Sequence, residues 1–220
     1  LDVSQTYEVD AMLLARKWFG TDSTDHPGVS RMISRGDHFM AGDVTLIEPL
    51  PSPHSRYDLT PAQLRAVFAH KSWSRVVGFH SRNLVHRAHE AVQLSALEHT
   101  RADGLLINPV LGKTKRGDFL PNVILDGYRA MLDSGLYPPG KGVLASFLTY
   151  PRFAGPREAV FTAICRKNMG CSHFVVGRDH SGVGGFYGEN EGRELFDKLG
   201  DIGIEPVFFN TIGYDAQDER

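Results

Sequence analysis

Residues 73–90 read WSRVVGFHSRNLVHRAHE, and this stretch decides the fold. Residues 73–79 are a short, mainly apolar run, which predicts a buried strand. From residue 85 onward, apolar residues recur three and four positions apart, which predicts a helix over residues 85–98. The stretch is therefore expected to fold as a strand, a polar turn and a helix.

The same alternation continues along the rest of the chain. Further strands are predicted over residues 104–109, 143–149, 173–176 and 204–209, with helices over residues 121–133, 156–168 and 191–199. Parallel strands need long crossover connections. About five apolar strands alternating with helices therefore predict an α/β fold with a Rossmann-like, doubly wound parallel sheet. Ligands of such sheets bind at the carboxyl ends of the strands.

The first part of the chain differs from this pattern. Glycine, proline and aspartate residues typical of turns recur over residues 20–61, leaving room only for short strands and turns, such as a strand over 43–48. Residues 60–63, Thr-Pro-Ala-Gln, then predict a capping box at a helix start. We therefore predict a short irregular, β-containing accessory segment over residues 1–59 and an α/β domain over residues 60–220.

Charge, hydropathy and cysteine content argue against several classes of protein. With 24 Lys and Arg against 26 Asp and Glu, the net charge of -2 offers no long-range attraction for nucleic acid. No apolar run approaches the roughly 18 to 20 residues of a membrane-spanning helix. Cys165 and Cys171 match no zinc-binding pattern and are expected to be reduced thiols in a cytoplasmic protein.

Groups that can donate hydrogen bonds to an anion crowd the turn after the first predicted strand. They are His80, Arg82, Asn83, His86 and His89. His86 and His89 are three residues apart and are expected in the first turn of the helix, where free amides and the helix dipole favour negative charge. The anionic transition state of phosphoryl chemistry needs such donors. A histidine metal site and an ordinary amphipathic helix are the alternatives.

A second candidate loop, VGRDHSGVGGFYG over residues 176–188, follows another predicted strand. Its glycines permit close backbone approach, Arg178 offers a bidentate donor, and Asp179 could orient a ribose, a base amine or the arginine. The spacing matches neither a dinucleotide fingerprint nor a Walker motif. Arg152, in the turn after the middle strand, is a further predicted ligand contact. We expect the first and second loops to converge on one phosphorus.

Three ordered motifs resemble those of the ATP sulfurylase family. HSRNLVHRAHE, residues 80–90, resembles the family pattern Q-x-R-N-P-x-H-x-x-H. VGRDHSGVGGFYG resembles the G-R-D-H-A-G loop, and FAGPREAVFTAICRKNMGCSHF, residues 153–174, resembles the stretch between the two. The similarity runs from about residue 8 to residue 209. It implies a nucleotidyltransferase fold of the HxGH type, in which a further segment follows the α/β domain and a β-rich domain precedes the accessory segment.

The resemblance implies roles for individual residues. Catalysis would fall to Arg82, Asn83, His86 and His89. The oxyanion would be bound by His80, Ser81, Arg82 and Ser181. The nucleotide would be bound by Asn83, His86, His89, Gly177, Arg178 and Asp179. The implied reaction joins sulfate to the AMP portion of ATP and releases pyrophosphate, with Mg²⁺ carried on the triphosphate and no tightly bound protein metal. The expected partners are small-molecule substrates of sulfate assimilation, and homo-oligomerisation is left open.

Three positions depart from the family pattern. His80 replaces a glutamine, Leu84 a proline and Ser181 an alanine. One hypothesis keeps adenylyl transfer but alters the acceptor to phosphate, a phosphonate or a sulfonate, with protonated His80 adding charge. The other is neutral replacement, in which histidine donates the same hydrogen bond as glutamine. CTP in place of ATP and a non-catalytic nucleotide- or anion-binding protein are the remaining alternatives.

Overall fold

The computed structural model describes residues 1–49, 51–112, 117–177 and 180–209 of the 220-residue chain. Its strands are β1 (Asp2–Glu8), β2 (His38–Asp43), β3 (Val76–Phe79), β4 (Gly104–Ile107), β5 (Gly142–Leu144), β6 (His173–Val176) and β7 (Glu205–Phe208). Its α-helices are α1 (Ala11–Phe19), α2 (Pro27–Ile33), α3 (Pro61–His70), α4 (Arg87–Thr100), α5 (Pro121–Asp133), α6 (Pro156–Met169) and α7 (Glu191–Leu199), and a short 3-10 helix covers Ser55–Tyr57. Helices and strands alternate from α3 onward.

Five strands form one parallel sheet in the order β5-β4-β3-β6-β7. The chain builds β3, β4 and β5 towards one edge, then returns to place β6 on the other side of β3. The strand order therefore reverses between β3 and β6, where Val77 pairs with His173 and Gly78 with Phe174. The predicted doubly wound parallel sheet is confirmed, and its switch point lies between β3 and β6.

Helices cover both faces of this sheet because successive strand residues point to opposite sides. Val77 and Phe79 pack with α4 and α5 in one apolar cluster. Val76 packs with α3, α6 and α7 in the other. The strands consequently consist of almost continuous apolar residues, as strands buried on both faces must.

The predicted boundaries hold best where a capping signal or a strong apolar run marks them. Helices α5 and α7 and strand β6 have the predicted bounds. The capping box is confirmed: the Gln63 amide donates to Thr60 Oγ1 at 3.3 Å, and the Thr60 amide donates to Gln63 Oε1 at 2.8 Å. The strand predicted over 143–149 is wrong beyond Leu144, since only an isolated bridge between Val110 and Phe147 follows.

The prediction of only short strands and turns over residues 20–61 is wrong, because α2 lies there. The Asp-His-Pro-Gly sequence is a helix start: Pro27 occupies the first position, where no amide donor is needed, and His26 is the N-cap. The amides of Gly28 and Val29 donate to His26 Nδ1 at 3.1 and 3.3 Å. The strand predicted over 43–48 is also misplaced, since β2 ends at Asp43, antiparallel to β1.

A buried network joins the segment before α3 to the α/β domain. His26 is fully buried, and its Nε2 donates to the Phe153 carbonyl at 2.9 Å because Nδ1 is occupied as an acceptor. The Tyr187 hydroxyl lies 2.9 Å from the carbonyl oxygens of both Phe19 and Phe153. One imidazole therefore links the start of α2 to the loop before α6 and to the glycine-rich loop after β6.

Among residues 1–49, 51–112, 117–177 and 180–209, no helix has both the length and the hydropathy needed to cross a bilayer.

Replacing His26 with alanine should destabilise the protein, because it removes the α2 cap and one of the donors to the Phe153 carbonyl. We expect the free energy of unfolding, measured by urea denaturation, to fall by about 2–4 kcal/mol. The control is His38→Ala, since His38 is an exposed imidazole whose loss should change stability by less than about 0.5 kcal/mol. Equal losses in the two variants would contradict the role of His26.

Candidate functional site

The loops that leave β3 and β6 begin side by side at the switch point. His80 directly follows β3, and His180 lies shortly after β6. Their ring centroids are 4.9 Å apart. The two loops thus converge at these residues. We use the term switch-point site for residues 80–86, Arg166 and the described part of the second loop.

Arg166 lies on α6 beneath this site and is fully buried. Its Nη2 donates to His80 Nδ1 at 2.9 Å and to the Asn108 carbonyl at 3.2 Å. The guanidinium carbon lies 4.1 Å from the ring centroid of Phe147 and 5.5 Å from that of Phe174. Within the described parts of the chain, no carboxylate lies at ion-pair distance from Arg166. A buried cation is thus held by a ring nitrogen, carbonyls and aromatic faces.

Gly78 allows Arg166 to lie against the sheet. A Cβ atom at Gly78 would lie 3.0 Å from Cγ of Arg166 and 3.3 Å from Sγ of Cys171. A larger residue would therefore push α6 and its arginine away from β3. The glycine in the middle of this strand is explained by the close approach of the arginine stem.

Arg166 is the site residue that sequence reasoning missed. The signal was present, because Ala159, Thr162, Ala163 and Arg166 recur at the spacing of one helix face, and all four are buried. An arginine on an otherwise apolar stripe indicates a buried cation. Its partners are distant in sequence and come from the strand ends, so the stripe alone could not have identified them.

His80 is a neutral imidazole in this arrangement. Burial lowers its pKa well below the usual 6.5, and the charges of Arg166, His180 and Arg82 lower it further. Because Arg166 donates to Nδ1, the proton of the neutral ring lies on Nε2. The expectation that protonated His80 adds positive charge is wrong, since a buried guanidinium faces the ring. The geometry favours the other hypothesis, in which neutral His80 donates the hydrogen bond that the glutamine of the family pattern would donate.

His180 is also held neutral. Burial lowers its pKa to about 3, with the charge of Arg166 as the second cause. Its Nε2 lies 2.9 Å from Thr162 Oγ1, which can donate its own proton to the Glu158 or Ala159 carbonyl. This contact fixes the imidazole against α6.

His86 and His89 form a stacked pair at the start of α4. Their ring centroids are 3.9 Å apart, with 27° between the ring planes. His89 lies in the first turn as expected, whereas His86 is the N-cap and precedes the helix. Burial lowers the pKa of His89 to about 4, with the charge of His86 as the second cause. His86 is exposed, so the pair offers an accessible edge beside the helix terminus.

The turn between His80 and His86 is shaped by Ser81. This side chain is buried, and its Oγ accepts the Asn83 amide at 3.0 Å, so Ser81 closes the turn. Asn83 itself is exposed.

Arg82 Nη2 lies 3.4 Å from Asp118 Oδ2, and an anion at Arg82 would share the guanidinium with this carboxylate. Leu84, which departs from the family pattern, packs against α5 at Gly127. A Cβ atom at position 127 would lie only 2.6 Å from Leu84 Cδ1, so the glycine leaves the space that the leucine fills.

The second loop is described only in part. Gly177 is exposed, and Ser181 has a left-handed backbone with φ of 56°. Arg178 and Asp179 lie outside the described residues. Arg152 is held in its own turn: its Nη1 donates to Thr149 Oγ1 at 3.3 Å and to the Tyr150 carbonyl at 3.1 Å.

Arg152 borders a separate cavity of about 530 Å³, which residues of α1 and α2 also line. Trp18, Arg31 and Tyr150 also line this cavity. The structure therefore does not bring Arg152 into the switch-point site.

No group of three His, Cys, Asp or Glu residues in the described part of the chain could hold a metal ion. Cys165 and Cys171 are free thiols, and burial raises the pKa of both. A metal site built from His80, His86 and His89 is disfavoured, because Nδ1 of His80 is occupied by Arg166.

The structure defines an open α/β protein with its polar side chains gathered at the switch point of a parallel sheet. A family model described as ATP-sulfurylase matches residues 55–220, and one described as PUA-like domain matches residues 1–49. The chain therefore belongs to the ATP-sulfurylase family.

Curated relatives carry matching names. The chain is 46% identical to the sulfate adenylyltransferase of Symbiobacterium thermophilum, over 94% of this chain and 53% of the relative. It is 44% identical to that of Pyrococcus abyssi, over 97% of this chain and 56% of the relative. The chain spans about half the length of these relatives.

A solved structure shares the fold. The chain titled hexameric APS kinase from Thiobacillus denitrificans matches with a TM-score of 0.59 and 24% identity, over 84% of this chain and 33% of that chain.

Protonation of His80, His89 and His180 should destabilise the fold. The pKa values of His80, His89 and His180 are lowered, so between about pH 6.5 and 5 the unfolded chain binds protons that the folded chain does not. The free energy of unfolding should therefore decrease as the pH falls through this range, measured by urea denaturation at each pH.

A matched pair of variants tests the source of this pH dependence. His180→Gln should reduce the proton uptake on unfolding near pH 5 by about one proton. His70→Gln, a change at an exposed residue on α3, should leave it unchanged. Identical pH dependence in the two variants would show that His180 is not the source.

Proposed function

We propose that this chain carries the catalytic site of a sulfate adenylyltransferase. A sulfate oxygen would attack the α-phosphorus of ATP, the bond from that phosphorus to the bridging oxygen would break, and pyrophosphate would leave. The observation that carries this proposal is the convergence of the β3 and β6 loops, with His80 and His180 4.9 Å apart, beside the N-terminus of α4. Membership of the ATP-sulfurylase family supports the choice of reaction.

The triphosphate would bind at the N-terminus of α4. Free amides there point towards solvent, and the exposed side chains of Asn83 and His86 flank them. His86 and His89 stack closely, so the position of one ring restricts the other. Donors fixed before the reaction stabilise the charge that develops on the α-phosphate oxygens, which makes the histidine pair catalytic residues. Mg²⁺ would enter as part of the nucleotide substrate.

The acceptor would bind between His80 and Arg82. His80 would donate from Nε2 without adding charge, and Arg82 would supply the positive charge that sulfate requires. With His80 neutral, the physical reason for an acceptor more highly charged than sulfate disappears. Ser81 would act indirectly, through the turn it closes, and Ser181 would add a contact from the second loop.

The second loop would bind the nucleoside. Gly177 follows β6 at the edge of the sheet where the triphosphate would lie, and Arg178 and Asp179 come next in the sequence. We infer that the arginine contacts phosphate and the aspartate the ribose or base. We place the protein in the cytoplasm, since its two cysteines are free thiols.

His86→Ala and His89→Ala should each lower kcat for adenylyl transfer by about a hundred- to a thousandfold with little change in ATP affinity, because their donors act mainly in the transition state. Pyrophosphate release measures the rate, and isothermal titration measures binding. His99→Ala, an exposed change near the other end of α4, is the control and should leave both values unchanged.

The same assay separates the alternatives. Turnover should require ATP and sulfate, with phosphate, phosphonates, sulfonates or CTP giving far lower rates. Tight ATP binding without pyrophosphate release would indicate a non-catalytic binding protein. Equal losses of affinity and rate in the His86 and His89 variants would contradict their proposed role.

A further inference from the structure

We propose that Arg166 is a positioning residue that locks His80 as the Nε2–H tautomer, so that the acceptor site receives one uncharged hydrogen-bond donor of fixed direction. The part of this inference that concerns the acceptor rests on the proposed function. The part that concerns the tautomer rests on contacts within the protein.

The hydrogen-bond geometry requires this tautomer. Arginine has donors only, so the 2.9 Å contact between Arg166 Nη2 and His80 Nδ1 exists only if Nδ1 is an acceptor. The remaining proton of the neutral ring must then lie on Nε2. Nδ1 and Nε2 lie on opposite sides of the imidazole, so Nε2–H points away from the buried arginine.

Arg166 itself has little freedom to move. Nη1 donates to the Thr162 carbonyl at 3.4 Å, and Nη2 also donates to the Asn108 carbonyl at 3.2 Å. Phe147 and Phe174 pack near the guanidinium. The same two aromatic residues contact the His80 ring, with centroids 6.5 and 6.3 Å away. One aromatic pocket therefore holds both members of the pair.

The charged groups around His80 also oppose its protonation. Arg166 faces it from α6, His180 from the loop after β6 and Arg82 from its own loop. Each of these groups is cationic or becomes so on protonation, and among the described residues none of the groups that set the pKa of His80 is acidic. A neutral imidazole that cannot gain charge gives the same donor across the neutral pH range.

Glutamine would reproduce this arrangement, and this gives a conservative variant. Its side-chain oxygen can accept from Arg166 while its amide donates towards the acceptor. Leucine can do neither. The pair His80→Gln and His80→Leu therefore separates the hydrogen-bond role from the mere filling of space.

The first experiment records the tautomer by ¹⁵N NMR of histidine-labelled protein. In the wild-type protein His80 should show a pyridine-like Nδ1 and a pyrrole-like Nε2, unchanged between pH 8 and pH 6. Arg166→Gln keeps a donor without the charge and should retain this signature. Arg166→Met removes the donor and should give mixed tautomers and a His80 pKa closer to the ordinary value. The readout needs no catalysis, so it stands whether or not the protein turns over sulfate.

The second experiment uses kinetics and leaves Arg166 in place, so it is informative even if Arg166→Met does not fold. His80→Leu should raise the KM for sulfate about ten- to a hundredfold with less than about a threefold change in kcat. His80→Gln should restore the wild-type KM. A wild-type His80 with its proton on Nδ1 would overturn the proposal, and so would equal sulfate KM values in the leucine and glutamine variants of an active enzyme.

Discussion

The guanidinium of Arg166 occupies the point where α6 meets the ends of β3 and β4. Taking such a group out of water is unfavourable by several kcal/mol unless its donors find acceptors. Here the acceptors are His80 Nδ1 and the carbonyls of Thr162 and Asn108, while Phe147 presents its ring at 4.1 Å. His80, Asn108 and Phe147 lie in three separate segments outside α6, so these contacts with the guanidinium form only when all three segments are in place. The arginine therefore couples the packing of the core to the shape of the site above it.

This constraint determines the chemistry that the site can offer. Burial is the main cause that lowers the pKa of both His80 and His180, and the buried cation below the switch point lowers them further, because protonating either ring would place a second positive charge beside it. The imidazoles are then donors of fixed direction, and the formal charge is left to Arg82 at the rim, which shares its guanidinium with Asp118. Under the proposed function, such a site would select an anion by the placement of its oxygen atoms more than by its total charge.

The sequence predicted the sheet well because most of its parallel strands are short apolar runs and several of its helices begin at a local start signal. Thr60 and Gln63 mark α3 without any tertiary information. The helix at Pro27 was missed because histidine is an uncommon N-cap, and the orientation of His26 as a cap depends on the hydrogen-bond contacts of its Nε2 with the Phe153 carbonyl and the Tyr187 hydroxyl. Local sequence patterns determine helices such as α3, whereas a cap that depends on distant contacts can be recognised only in the folded structure.

Like the fold, the site could be predicted from the sequence only in part. The turn residues from His80 to His89 cluster in the sequence, and their donor chemistry was evident there. The tautomer of His80 was not evident there, because it depends on a hydrogen bond from Arg166, which lies 86 positions along the chain. The structure also places Arg152 beside a different cavity, since its hydrogen bonds to Thr149 and Tyr150 hold it in its own turn.

The most direct test of the central claim is a crystal structure of the protein with sulfate and an ATP analogue whose α–β bridge cannot be cleaved. The account predicts that the triphosphate lies at the N-terminus of α4 beside His86, with sulfate between His80 and Arg82 and one of its oxygen atoms facing the α-phosphorus. Binding of the nucleotide in the cavity lined by Trp18, Arg31 and Tyr150, or of the two ligands in separate places, would contradict it.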